Sequence, residues 1–442
     1  MGSFKIIEHV LAGQHIREHP HTLGTGRQEG LLHIAIKQYI PIDRPEPAPD
    51  NAITIVALHA NGIPKELYEP LWETLYDHLK QKSIPLRGIW IADTANHGAS
   101  YQICLITHAT CCTWSTVSET RCHVPSLVLP IAWVVRNCSS DPLSLQNPSA
   151  FHTPSQTSAA SVFSLHSHHS VNLATIHPRL LSTIILVEPV IFADGWHPPF
   201  NPARFAAKRH DLWDSREAAE TDLRQSCRKW DPRVVELFLR YGIRPVPTLL
   251  YNNETEPDLP PGAVTLTTTK YQEMWQYNLA NVEPESAGLD HLLLPDWDTK
   301  FARPLGYARP ECCAAMRNLP SLRPSVLFVY GSRSPWASPD LQTLHVSSTG
   351  VGTGGSGGIE HGKVKKAVLE KGSHVLLLED VDWSAQTVAE WVQQWFQGWL
   401  ADERLLAGYQ SKRSEPGMLK ASEVGLQISI AKAPGSRPKE KL

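Results

Sequence analysis

Residues Val171-Asn-Leu-Ala-Thr-Ile-His-Pro-Arg-Leu-Leu-Ser-Thr-Ile-Ile-Leu-Val-Glu-Pro189 decide the fold. Val171 to Ile176 reads as the end of a buried helix, and His177-Pro178 stops it, because proline cannot continue a helix and biases its neighbour away from one. Ser182 to Val187 is a short apolar run rich in β-branched residues, the pattern of a buried strand. Glu188 then falls at the carboxyl end of that strand, where open α/β sheets place their ligands and chemistry. Working backwards, a strand–serine–helix turn belongs before the helix. Counting one helix back from His177 puts the serine at Ser164, in the frame Val162-Phe-Ser-Leu-His166.

The neighbouring segments agree with such a sheet. Phe4 to Ile42 alternates apolar and polar residues, as a pair of antiparallel strands joined through Leu23-Gly-Thr-Gly-Arg27. Ile53 to Leu58 is a continuous apolar run, followed by a helix from about Lys65 to Lys82 and a strand over Arg87 to Asp93. Ser325-Val-Leu-Phe-Val-Tyr-Gly331 is a further buried strand, Lys363 to Val368 another, and a closing helix runs over about Ala385 to Leu400. Strands alternating with helices predict a mostly parallel sheet in an α/β fold. Residues 192–320, rich in helical patterns, read as a lid inserted between two core strands. The core thus comprises 1–100, 171–191 and 321–410, and 411–442 reads as a mobile tail.

Residues 101–170 differ from the rest. They hold no Gly and no Lys, their only charges are Glu119, Arg121, Arg136 and Asp141, and five of the eight cysteines fall here. Ser, Thr, Pro and His dominate. Disordered loops are ordinarily rich in charge and glycine, so the composition marks this stretch as anomalous, either a true insertion or translated non-coding sequence. The formal net charge of −3 gives no footprint for nucleic acid. No run of 18 apolar residues suggests a membrane span, and Met1-Gly-Ser-Phe-Lys-Ile-Ile-Glu8 lacks a signal-peptide core. The cysteines show no zinc spacing or disulfide framework, so a reducing compartment is expected.

Four features carry chemistry. His59-Ala-Asn-Gly-Ile-Pro64 follows a core strand, and the backbone at Asn61, Gly62 and Ile63 is the candidate oxyanion donor set. His374, in Lys371-Gly-Ser-His, sits on a short loop after the last core strand, the place for a general base. Glu188 is the preferred acid to orient it, with Asp340 the alternative. Ser164 is the candidate nucleophile, although a Gly-x-Ser-x-Gly elbow would need small residues where Val162 and His166 stand. The run Leu165-His-Ser-His-His169 offers imidazoles but no carboxylate or spaced partner in the sequence, so no metal site is assigned and no cofactor is expected. Without an aspartate in the elbow stretch, dehalogenase or epoxide hydrolase chemistry is set aside.

With these residues in place the chain resembles the fungal α/β-hydrolases that include peroxisomal acyl-CoA thioesterases of the mycophenolic acid type, toxin-biosynthesis hydrolases and peroxisomal lipases. The matching text is His15-Ile-Arg-Glu, Ile36-Lys-Gln-Tyr, His59-Ala-Asn-Gly-Ile-Pro-Lys-Glu-Leu-Tyr-Glu-Pro-Leu-Trp72, Arg87-Gly-Ile-Trp-Ile-Ala-Asp93, Val171-Asn-Leu-Ala, His177-Pro-Arg-Leu, Val187-Glu-Pro-Val-Ile191, and Val351 to Gly358 through Glu370-Lys-Gly-Ser-His374. It spans about residues 4–100 and 171–400. The resemblance implies an α/β-hydrolase fold with a helical lid, and a serine hydrolase cleaving a thioester or ester of a hydrophobic acyl group, with acyl-CoA in fungal secondary metabolism as the expected class. A non-catalytic protein of the same fold is the alternative. Two departures stand out: the Gly-His-Ser-x-Gly-Gly elbow is absent before Val171, and 101–170 resembles nothing in the family. The end, Glu440-Lys441-Leu442, matches two positions of a Ser-Lys-Leu peroxisomal address. The expectation is peroxisome or cytoplasm, with an import receptor as partner through Lys441-Leu442 in the first case.

Overall fold

The structure is a computed structural model that describes residues 2–12, 32–107, 160–164, 167–193, 201, 203–277, 310–336, 338–408 and 419–431. The expected turn at 23–27, most of the anomalous segment, residues 278–309 and Lys441-Leu442 lie outside the described residues.

The strands in chain order are β1 (Phe4–Ala12), β2 (His33–Pro41), β3 (Ile53–Leu58), β4 (Leu86–Ala92), β5 (Ala160–Ser164), β6 (Thr183–Val187), β7 (Leu212–Trp213), β8 (Ile243–Pro245), β9 (Val264–Leu266), β10 (Ser325–Gly331) and β11 (Val364–Leu369). Eight of them form one sheet in the order β1-β2-β4-β3-β5-β6-β10-β11. The pairs β1/β2 and β2/β4 are antiparallel, and every other neighbour pair is parallel. This is the architecture the resemblance implies. Strands β3, β6 and β10 are buried along their whole length, as continuous apolar runs in a sheet covered on both faces must be. At the margins β1 alternates, and β11 exposes Lys365 and Lys366, charges that keep a sheet edge from pairing with another chain.

The helices are α1 (Glu69–Gln81), α2 (Gly98–Thr107), α3 (Ser167–Ile176), α4 (Ala203–Ala207), α5 (Arg216–Ser226), α6 (Pro232–Tyr241), α7 (Lys270–Tyr277), α8 (Pro310–Asn318), α9 (Pro339–Ser348), α10 (Leu376–Glu379), α11 (Val381–Gly408) and α12 (Glu423–Ile430). Pro70 opens α1, where its missing N–H costs nothing, and Leu71, Trp72, Leu75, Tyr76 and Leu79 form its buried stripe. The stretch expected as helix from Lys65 begins as a 3-10 turn over Lys65–Tyr68 before α1 takes over. On α11, Ala385, Val388, Ala389, Trp391 and Val392 are buried. Trp391 also donates from Nε1 to Thr183 Oγ1 on β6 (2.9 Å), so this large side chain enters the core with its polar atom satisfied.

The chain divides into two compact units, Met1–Trp395 and Phe396–Leu442. Within the second, the tail at 411–442 holds α12, whose N-cap Ser422 accepts from Gly425 N (3.0 Å). The insertion expected to be helical also contains a three-stranded antiparallel sheet, β7-β9-β8. Strands of two or three residues are too short to leave a periodicity in sequence. The apolar stretch at 246–251 is a turn closed by Thr248 N donating to Tyr251 O (2.7 Å). Strand β5 and the start of α3 fall inside the anomalous segment 101–170, so its last residues complete the middle of the sheet.

His345 locks α9 to the core. Its Nε2–H donates to Ile191 O (2.7 Å), and its Nδ1 accepts from the Tyr330 hydroxyl (2.9 Å). One nitrogen donates and the other accepts, so the ring is neutral. Burial pulls its pKa down to about 4. An unfolded histidine titrates near ~6.5, so its contribution is complete above that pH and disappears as pH falls from ~6.5 to ~4, on the order of 3 kcal/mol. Denaturation midpoints of the wild type should therefore drop between pH 7 and pH 4.5. His345→Gln should flatten that dependence, and an equal slope in both proteins would contradict it.

Candidate active site

The parallel register brings the chemistry-bearing loops to one edge. Leu58, Ser164, Leu186, Phe328 and Lys366 form one row across β3, β5, β6, β10 and β11. Every segment that follows these residues leaves on the same side of the sheet. His59 to Ile63, Ser167, Glu188, Ser334 and His374 all come next on that edge.

Glu188 and His374 are brought together. His374 Nδ1 lies 3.0 Å from Glu188 Oε2. Glu188 is fully buried, whereas the His374 side chain is 35% exposed. Glu188 adopts φ +49°, in the left-handed region, which sends the carboxylate back over the strand end. It also accepts from Gly331 N–H and from the Ser334 hydroxyl. With three donors converging on a carboxylate that can only accept, Nδ1 of His374 carries the proton and Nε2 is left as a base. Trp336 packs against the imidazole, with ring centroids 5.8 Å apart.

The His374 loop is held by its neighbours. Arg333 N donates to Gly372 O (2.9 Å), and Lys371 N to Ser332 Oγ (2.8 Å). Ser373 N and Oγ both donate to Glu379 (2.9 and 2.8 Å). Gly331 permits this crossing, since a Cβ there would lie 2.4 Å from Gly372 O. Asp340, the alternative acid, is exposed in the first turn of α9, and among the described residues the carboxylate at His374 Nδ1 is that of Glu188.

Ser164 is the last residue of β5, paired in register with Leu58 and Leu186. The chain is helical from Ser167 onward, and Ser167 is fully buried. Counting back from His177 thus lands on the last residue of the strand, and the first described helical residue is also a serine. The frame around Ser167 is Leu165-His-Ser-His-His169, with no glycine to mark it in sequence.

At the oxyanion turn, Ile63 N–H donates to Ala60 O (3.1 Å). The Asn61 and Gly62 N–H groups have no acceptor among the described residues. Gly62 has φ +72°, and a Cβ there would sit 2.7 Å from Cδ of Glu273 on α7. Asn61 is clamped from both sides: Nδ2 donates to Glu273 O (2.9 Å), and Oδ1 accepts from His97 Nε2 (2.8 Å). His59 Nε2 accepts from Thr94 N (2.9 Å) and its Nδ1–H faces Ala60 O (2.7 Å), so the ring is neutral, and burial holds its pKa below the ordinary value. Tyr68 OH accepts from Ala60 N (2.9 Å). Arg209 pairs with the Glu273 carboxylate (2.5 Å).

A buried charge cluster underlies this turn. Lys65 Nζ contacts Asp93 (2.5 Å) and Glu66 (3.1 Å), and Lys37 Nζ contacts Glu66 (3.1 Å) and Glu69 (3.7 Å). Burial opposes the charge on Lys65, but Asp93 and Glu66 outweigh it and hold its pKa above the usual value. None of this network could be read from sequence, where the same residues look like a solvated helix start. Among the described residues, His168, Glu311 and Cys312 form the one group able to hold a metal ion.

No family model matches the chain. It is 31% identical over 410 residues to the type I acyl-CoA thioesterase mpaH of Penicillium roqueforti, covering 88% of each chain. It is 32% identical, with the same coverage, to the thioesterase mpaH' of Penicillium brevicompactum. Over 234 residues it is 25% identical to the abhydrolase domain-containing protein AFT2-1 of Alternaria alternata, 52% of this chain and 81% of that one. Among solved structures, the peroxisomal alpha-beta-hydrolase Lpx1 of Saccharomyces cerevisiae superposes with a TM-score of 0.62 at 12% identity, over 97% of this chain and 96% of that one, a likeness of fold. By its identity to the Penicillium proteins over nearly the whole of both chains, this chain belongs to the family of the fungal type I acyl-CoA thioesterases, on the α/β-hydrolase fold.

Proposed function

We propose that this chain hydrolyses thioesters of hydrophobic acyl groups, acyl-CoA in class, with Ser167 rather than Ser164 as nucleophile. The observation that carries the reading is the Glu188–His374 pair at the shared strand edge, in a member of this family. His374 Nε2 takes the Ser167 hydroxyl proton as Oγ attacks the thioester carbonyl carbon. The N–H groups of Asn61 and Gly62 receive the developing oxyanion. The imidazolium returns its proton to the departing thiolate. Water, deprotonated by the same His374, then releases the acid. Glu188 fixes the tautomer that leaves Nε2 basic.

A serine-directed fluorophosphonate, followed by peptide mass mapping, tests this reading. Labelling is expected at Ser167. Ser167→Ala should lose both the label and thioester hydrolysis, by at least about 10⁴-fold, while Ser164→Ala keeps both. Absence of any label on the native chain would sink the proposal and favour a non-catalytic role. That outcome has a physical motive, because Leu165 and His169 stand where small residues let an elbow turn tightly.

A further inference from the structure

We infer that the first turn of α3 and the first turn of α8 together form a binding site for a thiophilic divalent ion of the Zn²⁺ class. The run His168-His169 offers no partner in sequence. The fold supplies the missing donors from α8, where Glu311 and Cys312 face His168. One ligand atom each from His168, Glu311 and Cys312 lie within 4.8 Å of one another. His168 Nε2 is 3.8 Å from Glu311 Oε1 and 3.2 Å from His169 Nε2.

Geometry and chemistry both fit. Ligand atoms around a tetrahedral zinc ion, at bonds of ~2.0 to ~2.3 Å, lie about 3.3 to 3.6 Å apart. The His168–Glu311 separation of 3.8 Å lies close to that range, and the Cys312 sulfur lies within 4.8 Å of both, so the donors draw in by up to about an ångström on binding. His169, with Nε2 3.2 Å from His168 Nε2, stands next to this three-donor group, and water completes the shell. An imidazole, a carboxylate and a thiolate are a mixed nitrogen, oxygen and sulfur set that suits zinc and cobalt. His168 and His169 are 2% and 4% exposed and Cys312 is fully buried, so the site is shielded from bulk water. Helices α3 and α8 already pack, through Asn172 Nδ2 donating to Glu311 O (3.2 Å) and Asn318 to Asn172 (3.0 Å), so the donor positions are preorganised. On binding, the Cys312 thiol releases its proton to solvent and the sulfur becomes the metal-bound thiolate, so affinity rises with pH. Cys312 shares an apolar cluster with Phe192 and Trp336, and Trp336 packs on His374, which places the ion beside the proposed catalytic residues. The inference does not depend on Ser167 acting as nucleophile.

The test is a Co²⁺ titration of the full chain after chelator treatment. A thiolate-to-cobalt charge-transfer band in the near ultraviolet, with tetrahedral visible bands, should saturate at one equivalent. Cys312→Ser should lose the charge-transfer band, and Cys313→Ser should keep it. Glu311→Gln, at a partly exposed helix start where folding is least at risk, should weaken Co²⁺ binding about 10-fold or more. No charge-transfer band in the native chain, a band that persists in Cys312→Ser, or unchanged affinity in Glu311→Gln would overturn the proposal.

Discussion

His374→Ala should lower kcat/KM for an acyl-CoA thioester by about 10³-fold or more, while the melting temperature stays within a few degrees of the wild type. General acid–base catalysis supplies roughly 10² to 10⁴ in rate, and the loss is compounded because the same imidazole serves both acylation and deacylation. The small stability cost follows from geometry: the His374 side chain is 35% exposed, and Glu188 keeps the Gly331 and Ser334 donors when the imidazole is gone. Free thiol released per unit time, measured beside a thermal melt, decides the matter. Turnover retained in His374→Ala would remove this residue from the mechanism. Asp340→Asn is the control, because an exposed carboxylate at the start of α9 should be replaceable without effect on rate.

Asp93→Ala should destabilise the fold by about 3–5 kcal/mol, the cost of leaving one partner of a buried ion pair behind. Asp93 is fully buried, contacts Lys65 Nζ at 2.5 Å and accepts from Ala99 N at 3.0 Å. Without it the Lys65 ammonium, itself 2% exposed, has among the described residues only Glu66, which it shares with Lys37. The urea midpoint should fall accordingly. Lys65→Met added to Asp93→Ala should recover much of the loss, since it removes the stranded charge and fills its volume with apolar atoms. A change below about 1 kcal/mol in the single variant would mean that water or a rearranged carboxylate reaches Lys65.

Much of the site was legible because its signals are local. Glu188 follows an apolar run that can only be a buried strand, and His374 sits on a short loop between a strand and the closing helices. The two residues lie 186 positions apart, yet each was placed by its own neighbours, and the parallel register made them meet. The boundary between β5 and α3 was less legible. With Val, Leu and His in place of glycine, no residue between 160 and 170 marks where strand gives way to helix. The count from His177 therefore stopped at Ser164, whereas the helix begins at Ser167. The small sheet β7-β9-β8 escaped for a related reason, since its strands are shorter than one period of any pattern.

The sequence by itself determined most of the core strands, the burial of the central ones and the base and acid candidates, because apolar runs, proline stops and loop lengths act over a few residues. The tertiary structure alone decided what surrounds them. It placed Ser334 on Glu188 across 146 residues, Glu273 against the oxyanion turn, and Glu311 and Cys312 beside His168. These pairings are set by how helices and loops pack at the strand edge, and a buried polar group takes whichever partner that packing brings within reach.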